Sequence, residues 1–431
     1  MQKVLPDTAE TKAGRLFIGG CDAVELAERY GTPLIVFDRA TFENNARSFS
    51  SRLPPERVTY AGKAFMCIAV CQLVHRLGLA LDVCTGGELA TAVAADFPGS
   101  RITFHGNNKS EEELAAARDA GVGRVVVDSF DEMARIEEVG LKTKLLIRVT
   151  PGVEAHTHEF VQTGQEDSKF GFSLGNDVAA TALKQAEQIR GCELVGVHAH
   201  IGSQIFELAA FELAVERIAD FLLDAKERFG FEAQELNLGG GLGIAHTRDE
   251  MTPDPTDAVA RLLGMVEKHF AARNLAVPAL GIEPGRSIVG PAAVTLYRIG
   301  TKKTIPGVRT YLSVDGGMSD NIRPPLYGAR YEAFLANRTD ERAGGRVSIA
   351  GKHCESGDIL IKDVHLPDDV RPGDVLCIPA TGAYTYSMAS NYNRIPRPPV
   401  VMVEDGGAIE IVRRETYRDL VRLDRSLDET T

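Results

Sequence analysis

The chain has 431 residues, too many for one ordinary domain and suited to two or three. Hydrophobic residues at 44% and charged residues at 25% give a soluble globular balance, and no apolar run reaches the length of a membrane span. A net charge of −12 without a long basic block argues against nucleic-acid binding.

The start, MQKVLPDTAETK, lacks the apolar core of a secretory signal. Seven cysteines, an odd number with no CxxC pair, read as reduced thiols of a cytoplasmic protein, with no disulfide framework and no structural zinc site.

Residues 1–50 hold one clear apolar run, Leu34-Ile35-Val36-Phe37. Strand-like runs then recur at 58–62, 79–83, 101–105, 124–128, 144–149, 194–199, 235–239 and 278–283. Segments of helical period lie between them, among them 64–77, 86–96, 109–120, 207–229 and 255–273. Eight buried-type strands separated by helices predict parallel pairing and a closed (β/α)8 barrel. The long polar segment 151–175 follows the fifth strand, on the face where barrel loops carry function.

From about residue 286 the runs Val294–Ile299, Tyr311–Val314, Val347–Ile349, Ile359–Val364, Val375–Ile378 and Val400–Val403 are joined by Gly/Pro/Asp turns. They predict a mostly-β second domain, a sandwich or barrel. The fold class is therefore α/β plus β. Residues 1–32 form an N-terminal segment packing with the β domain, 33–285 the barrel and 286–431 the C-terminal β domain.

The strand ends of a barrel share one mouth. There the first strand delivers Lys63, flanked by small residues, and the sixth delivers His198 and His200 with Ser203 beyond. The seventh delivers Gly239, Gly240 and Gly241, and the eighth Glu283 with Gly285 and Arg286. Each has a plain alternative: a surface lysine, a tight turn, a Glu283–Arg286 ion pair. His198 and His200, two apart on a strand, could instead form a metal pair, a spacing that His156 and His158 repeat.

Taken together, these groups meet the needs of pyridoxal 5'-phosphate. A lysine can form a Schiff base, a glycine loop can hold the phosphate, a histidine can stack on the ring and a carboxylate can keep the pyridine nitrogen protonated. In the β domain, Cys354, Glu355, Ser356 and Asp358 fall in one turn, and Arg323, Tyr327 and Tyr384 add groups that an amino-acid substrate requires.

The motifs YAGKAF, HTHEFVQTGQEDSKFGF, HAHIGSQ, LNLGGGLGI, EPGRSIVG, RPPLYGA, CESGD and GAYTYSMASNYN follow one another from residue 60 onward. In them the chain resembles the diaminopimelate decarboxylases, barrel-type (alanine-racemase-like, fold type III) pyridoxal phosphate enzymes. HTHEF with GQEDSKFGF, and CESGD, favour this family over its ornithine and arginine decarboxylase relatives. His353, preceding CESGD, is a minor variation that removes no functional group.

The resemblance implies decarboxylation of meso-2,6-diaminopimelate to L-lysine and CO2, with a relative acting on another amino acid or a carrier-linked substrate as the alternative. It implies that Lys63 carries the cofactor and His200 stacks on its ring. Ser203, Gly239–Gly241, Gly285 and Arg286 hold the phosphate, and Glu283 contacts the pyridine nitrogen. Tyr384 touches cofactor and substrate. Arg286, Arg323 and Tyr327 clamp the substrate's far carboxylate, with Glu355 near its amino group and Ser356 beside it. Cys354 is the proton donor, reaching the opposite subunit of a homodimer with shared sites. No metal, nucleic acid or membrane partner is expected.

Overall fold

The computed structural model describes residues 4–153, 168–175, 177–342 and 344–427. His156 and His158, with the rest of HTHEF and the chain as far as Asp167, lie outside these residues. Contacts divide the chain into two compact units, one of residues 43–244 and 251–288, the other of 1–42, 245–250 and 289–431.

The first unit is the barrel. Its strands are β1 (Thr59–Ala61), β2 (Ala80–Val83), β3 (Ile102–Phe104), β4 (Arg124–Val127), β5 (Lys144–Thr150), β6 (Glu193–His198), β7 (Glu235–Asn237) and β8 (Ala279–Gly281). Each pairs parallel with the next. A parallel bridge between Val58 and Ile282 closes the ring, and the Thr59 N–H donates to the Ile282 carbonyl at 2.9 Å. All eight strands fall on the apolar runs. They read as continuous because both faces of such a strand are covered; β2 is buried at every position.

Several helices start soon after a strand because the sequence supplies a cap there. The Thr85 side chain accepts from the Glu88 N–H, Ser110 and Glu113 form a reciprocal capping box, and Ser129 accepts from the Glu132 N–H. At the N-terminal end of the strands, Arg124 makes two 2.9 Å hydrogen bonds to Glu235, and Arg57 approaches the same carboxylate at 3.2 Å.

The second unit is built on a long strand, β9 (Ala293–Ile305). It pairs antiparallel with β10 (Arg309–Val314) through its second half and with Val375–Ile378 and Leu34–Asp38 through its first. β11 (Arg346–Ala350) adds parallel to β10, and β12 (Ile359–His365) adds antiparallel to β11. Val400–Glu404 lies parallel to Leu34–Asp38.

Successive β9 side chains enter two cores. Val294 and Leu296 pack with Leu16, Ile18, Leu34 and Val36, whereas Tyr297 and Ile299 pack with Leu312, Ile349 and Leu376. Both faces of its first half, 293–299, are therefore covered, while 300–305 are exposed.

The domain boundary expected at residue 33 lies elsewhere. By contact it follows Phe42, and Leu34–Asp38 belongs to the β unit. A short apolar run announces a buried strand but not the sheet it will join. Among the described residues, no helix is long and apolar enough to cross a membrane.

Candidate active site

The C-terminal strand ends of the barrel bring together the groups expected there. Lys63 sits in the single 3₁₀ turn Gly62–Ala64 that follows β1. It is exposed between two buried neighbours, and its charge is felt by His200, Glu88 and Cys84. The Tyr60 hydroxyl donates to the Phe65 carbonyl at 2.7 Å, which pins that turn.

His200 is half-buried just beyond β6. The Gly240 N–H donates to its Nδ1 at 3.3 Å. Burial first, and then the Lys63 charge, push it well below the ordinary histidine value. The ring is therefore neutral at pH 7 and suited to lie on a flat cofactor.

The three glycines after β7 are demanded by space. A Cβ on Gly240 would stand 2.2 Å from the Glu283 carbonyl oxygen, and Gly239 and Gly241 adopt φ of +66° and +116°. Gly285 packs against Ala61. The Arg286 guanidinium donates to Ser203 Oγ at 3.0 and 3.3 Å, so Arg286 faces the Ser203 hydroxyl in place of the Glu283 ion pair that proximity in sequence allowed.

Glu283 is held by three donors. His105 Nε2 lies 2.9 Å from Oε1, Asn237 Nδ2 donates to the same oxygen at 2.9 Å, and His198 Nε2 lies 3.0 Å from Oε2. Burial alone would raise this carboxyl, but the two imidazoles overcome it and hold it well below the usual range. For His105, burial opposes charge, yet Glu283 and Asp82 outweigh it and lift the ring above its ordinary value. Burial keeps His198 below its ordinary value in spite of Glu283.

This arrangement gives His198 the place of a satisfied structural histidine and leaves no support for the alternative of a His198–His200 metal pair. The strand ends at His198, so the alternation that would align the two rings stops there. His105, His198 and Glu283 are themselves close enough to share a metal ion, with ligand atoms within 4.8 Å of one another. Both rings, however, turn Nε2 to the carboxylate as a donor, which takes that nitrogen out of metal ligation, while Oε2, with one donor, can accept another.

His105 and Asn237 were missed from sequence. The strand-end logic that selected Lys63 applies equally to RITFHG, where His105 ends its run at the mouth, and Asn237 lies inside LNLGGG.

Pyridoxal 5'-phosphate fits these residues: an exposed amine, a neutral ring, a hydroxyl–guanidinium pair beside a loop too tight for any Cβ, and a dry anionic acceptor for a ring N–H.

The β unit carries the remaining expected residues in two groups. Buried Arg323 donates through Nε to the Tyr331 hydroxyl at 3.1 Å, and its guanidinium lies 5.6 Å from the Tyr327 ring centre and 6.0 Å from that of Tyr384. Cys354, Glu355 and Ser356 are exposed together in the connection between β11 and β12.

Residues 39–290 match the family model described as pyridoxal-dependent decarboxylase, pyridoxal binding domain. The chain is 52% identical over 423 residues to the diaminopimelate decarboxylase of Bacillus subtilis, covering 96% of each. It is 45% identical over 431 residues to that of Mycobacterium tuberculosis H37Rv, covering 97% of this chain and 96% of the other. The crystal structure of the diaminopimelate decarboxylase from M. jannaschii in complex with L-lysine superposes with a TM-score of 0.91, at 36% identity and 98% coverage of both chains.

Proposed function

The chain belongs to the diaminopimelate decarboxylase family, and from that premise we propose that it converts meso-2,6-diaminopimelate to L-lysine and CO2. The observation that carries this reading is Glu283, a dry carboxylate kept ionised at the same barrel mouth as an exposed lysine. Pyridoxal 5'-phosphate, when bound, supplies the electron sink that takes up the electron pair left as CO2 departs.

The protein's own residues do the rest. Lys63 would hold the cofactor covalently. Glu283 would accept a hydrogen bond from its ring N–H, and the ionised carboxylate favours the cationic form of such a ring. His200, neutral, would support the ring. Ser203, Arg286, Gly285 and the Gly239–Gly241 loop would hold the phosphate.

Arg286, Arg323 and Tyr327 hold the carboxylate at the end of the substrate that does not react; a guanidinium reads a carboxylate well. Glu355 and Ser356 meet the amino group of that end, and Tyr384 orients the substrate. Cys354 Sγ delivers the proton to the carbon that has lost CO2. Cys354 serves the barrel of a partner subunit in a homodimer, and the protein works in the cytoplasm.

Holoprotein supplied with meso-diaminopimelate should release CO2 and L-lysine in equal amounts, with little release from ornithine, arginine, lysine or D-amino acids. Turnover of one of these in preference to diaminopimelate would move the assignment to a relative, and a colourless protein with stoichiometric zinc would overturn it. Mixed dimers of Lys63→Ala and Cys354→Ala subunits should recover partial activity. No recovery in verified mixed dimers would count against shared sites.

A further inference from the structure

One buried carboxylate of the β unit has no part in the roles assigned above. Asp358 closes the connection Gly351–Asp358 between β11 and β12 and is 2% exposed. Its Oδ2 accepts from the His353 N–H at 3.0 Å and lies 2.7 Å from His353 Nδ1, while Oδ1 accepts from the Met318 N–H at 2.7 Å.

Two glycines let backbone approach this group. A Cβ on Gly351 would stand 2.0 Å from Oδ2, and one on Gly317 2.5 Å from it. The carboxylate is thus enclosed by residues 351–353 on one side and 316–318 on the other. A direct bond from the Lys352 N–H to the Gly316 carbonyl, at 2.9 Å, joins the same two segments.

Each segment leads to a residue of the proposed reaction. From Gly317 the chain turns, with the Asp320 and Asn321 N–H groups donating to its carbonyl, and Asn321 Oδ1 then accepts from the Arg323 N–H at 3.3 Å. From His353 the chain passes to Cys354, whose N–H donates to Asn393 Oδ1 at 2.8 Å. The His353 ring is sealed from solvent and stacks on Tyr392 with centroids 5.6 Å apart and an interplanar angle of 4°. Burying a carboxylate is costly, and a turn closed by backbone alone would avoid that cost. What the charge adds is a fixed relation between two segments.

We infer that Asp358 and His353 are positioning residues. Through His353, the Asp358 carboxylate sets the turn that presents Cys354; through the Gly317–Met318 backbone it sets the segment that presents Arg323. This rests on the reading of Cys354 as proton donor and Arg323 as carboxylate clamp. Neither Asp358 nor His353 is exposed enough to touch a substrate, so both act through these neighbours.

The test uses holoenzyme variants that melt within a few degrees of the wild type. His353→Leu removes the ring N–H donor and should lower kcat about tenfold while leaving KM within about twofold, because only the Cys354 side is disturbed. The solvent deuterium effect on kcat should grow as proton delivery becomes limiting. His353→Asn keeps an N–H near the place of Nδ1 and should restore most of kcat. Asp358→Asn should lower kcat and raise KM together. On a Cys354→Ala background, His353→Leu should cost nothing further.

Wild-type kcat and isotope effect in His353→Leu would overturn the inference, as would a full multiplicative loss in the double variant. If Cys354→Ala alone keeps full activity, the donor reading fails instead, and that single variant reports it. Should Asp358→Asn not fold, the His353 pair decides.

Discussion

His105 Nε2 lies 2.9 Å from Glu283 Oε1, with both side chains almost fully dry. The contact joins the end of β3 to the end of β8 and sets the charge of both groups. His105→Gln would keep an N–H donor but remove the positive charge. Cofactor retention should fall about tenfold, the equivalent of ~1.4 kcal/mol, read by visible absorbance during dialysis. Unchanged retention would remove His105 from the site.

The same contact makes stability depend on pH. His105 is raised above its ordinary value of 6.5, so its contribution is fully present below that value and is lost as pH rises through the higher folded one. Glu283 is depressed below its ordinary 4.5, so its contribution is present above that value and is lost only as pH falls through the lower folded one. Melting curves from neutral to alkaline pH should decline in the wild type and be flatter in His105→Gln.

Asp320 is shifted in the opposite direction to Glu283 and acts in the same sense as His105. Burial lifts it to about 7 against hydrogen bonds from the Tyr297 hydroxyl and the Gly317 N–H, with the Asp358 and Asp315 charges adding to the rise. The unfolded chain releases this proton near 3.8 and the folded chain keeps it to about 7, so stability falls across that interval. Asp320→Asn should remove most of the fall, a gain of at most about 4 kcal/mol above pH 7. A variant melting in parallel with the wild type at every pH would refute this.

Gly240→Ala would force a methyl group to within 2.2 Å of the Glu283 carbonyl oxygen, and neither partner is a flexible side-chain end. The β7 and β8 loops must separate, at a cost of about 1–3 kcal/mol. Cofactor bound per chain after gel filtration should drop sharply. Full occupancy would show that the loop does not cradle the phosphate.

At the other end of the strands, Arg124→Ala should leave kcat and KM unchanged while lowering stability by about 1–3 kcal/mol, because buried Glu235 loses its two-pronged partner and keeps only Arg57. A change in KM would mean that this end of the barrel communicates with the mouth.

Much of this was legible in the sequence because parallel barrel strands are apolar on both faces and end where chemistry begins. That logic placed Lys63, the three glycines and Glu283 on strand ends. It stopped where alternation stopped: past His198 the chain leaves the strand, so spacing could not name Glu283 as the partner of its ring. Arg286 showed the same limit, since three residues of separation from Glu283 did not reveal that its guanidinium turns to Ser203. His105 carried the right position but no motif. The sheet joined by Leu34–Asp38 depends on partners far along the chain, which local pattern does not encode.

That last strand has a consequence for how the protein is made. Leu34–Asp38 lies between Ala293–Leu296 on one side and Val400–Val403 on the other. On the ribosome its first partner emerges only after the whole barrel has been translated, and its second well after that. At ordinary elongation rates the wait lasts on the order of half a minute. Throughout it, Leu34, Ile35, Val36 and Phe37 stay an apolar run without either covering strand, the kind of segment that chaperones hold. The barrel is complete before the sheet that Leu34–Asp38 joins can close.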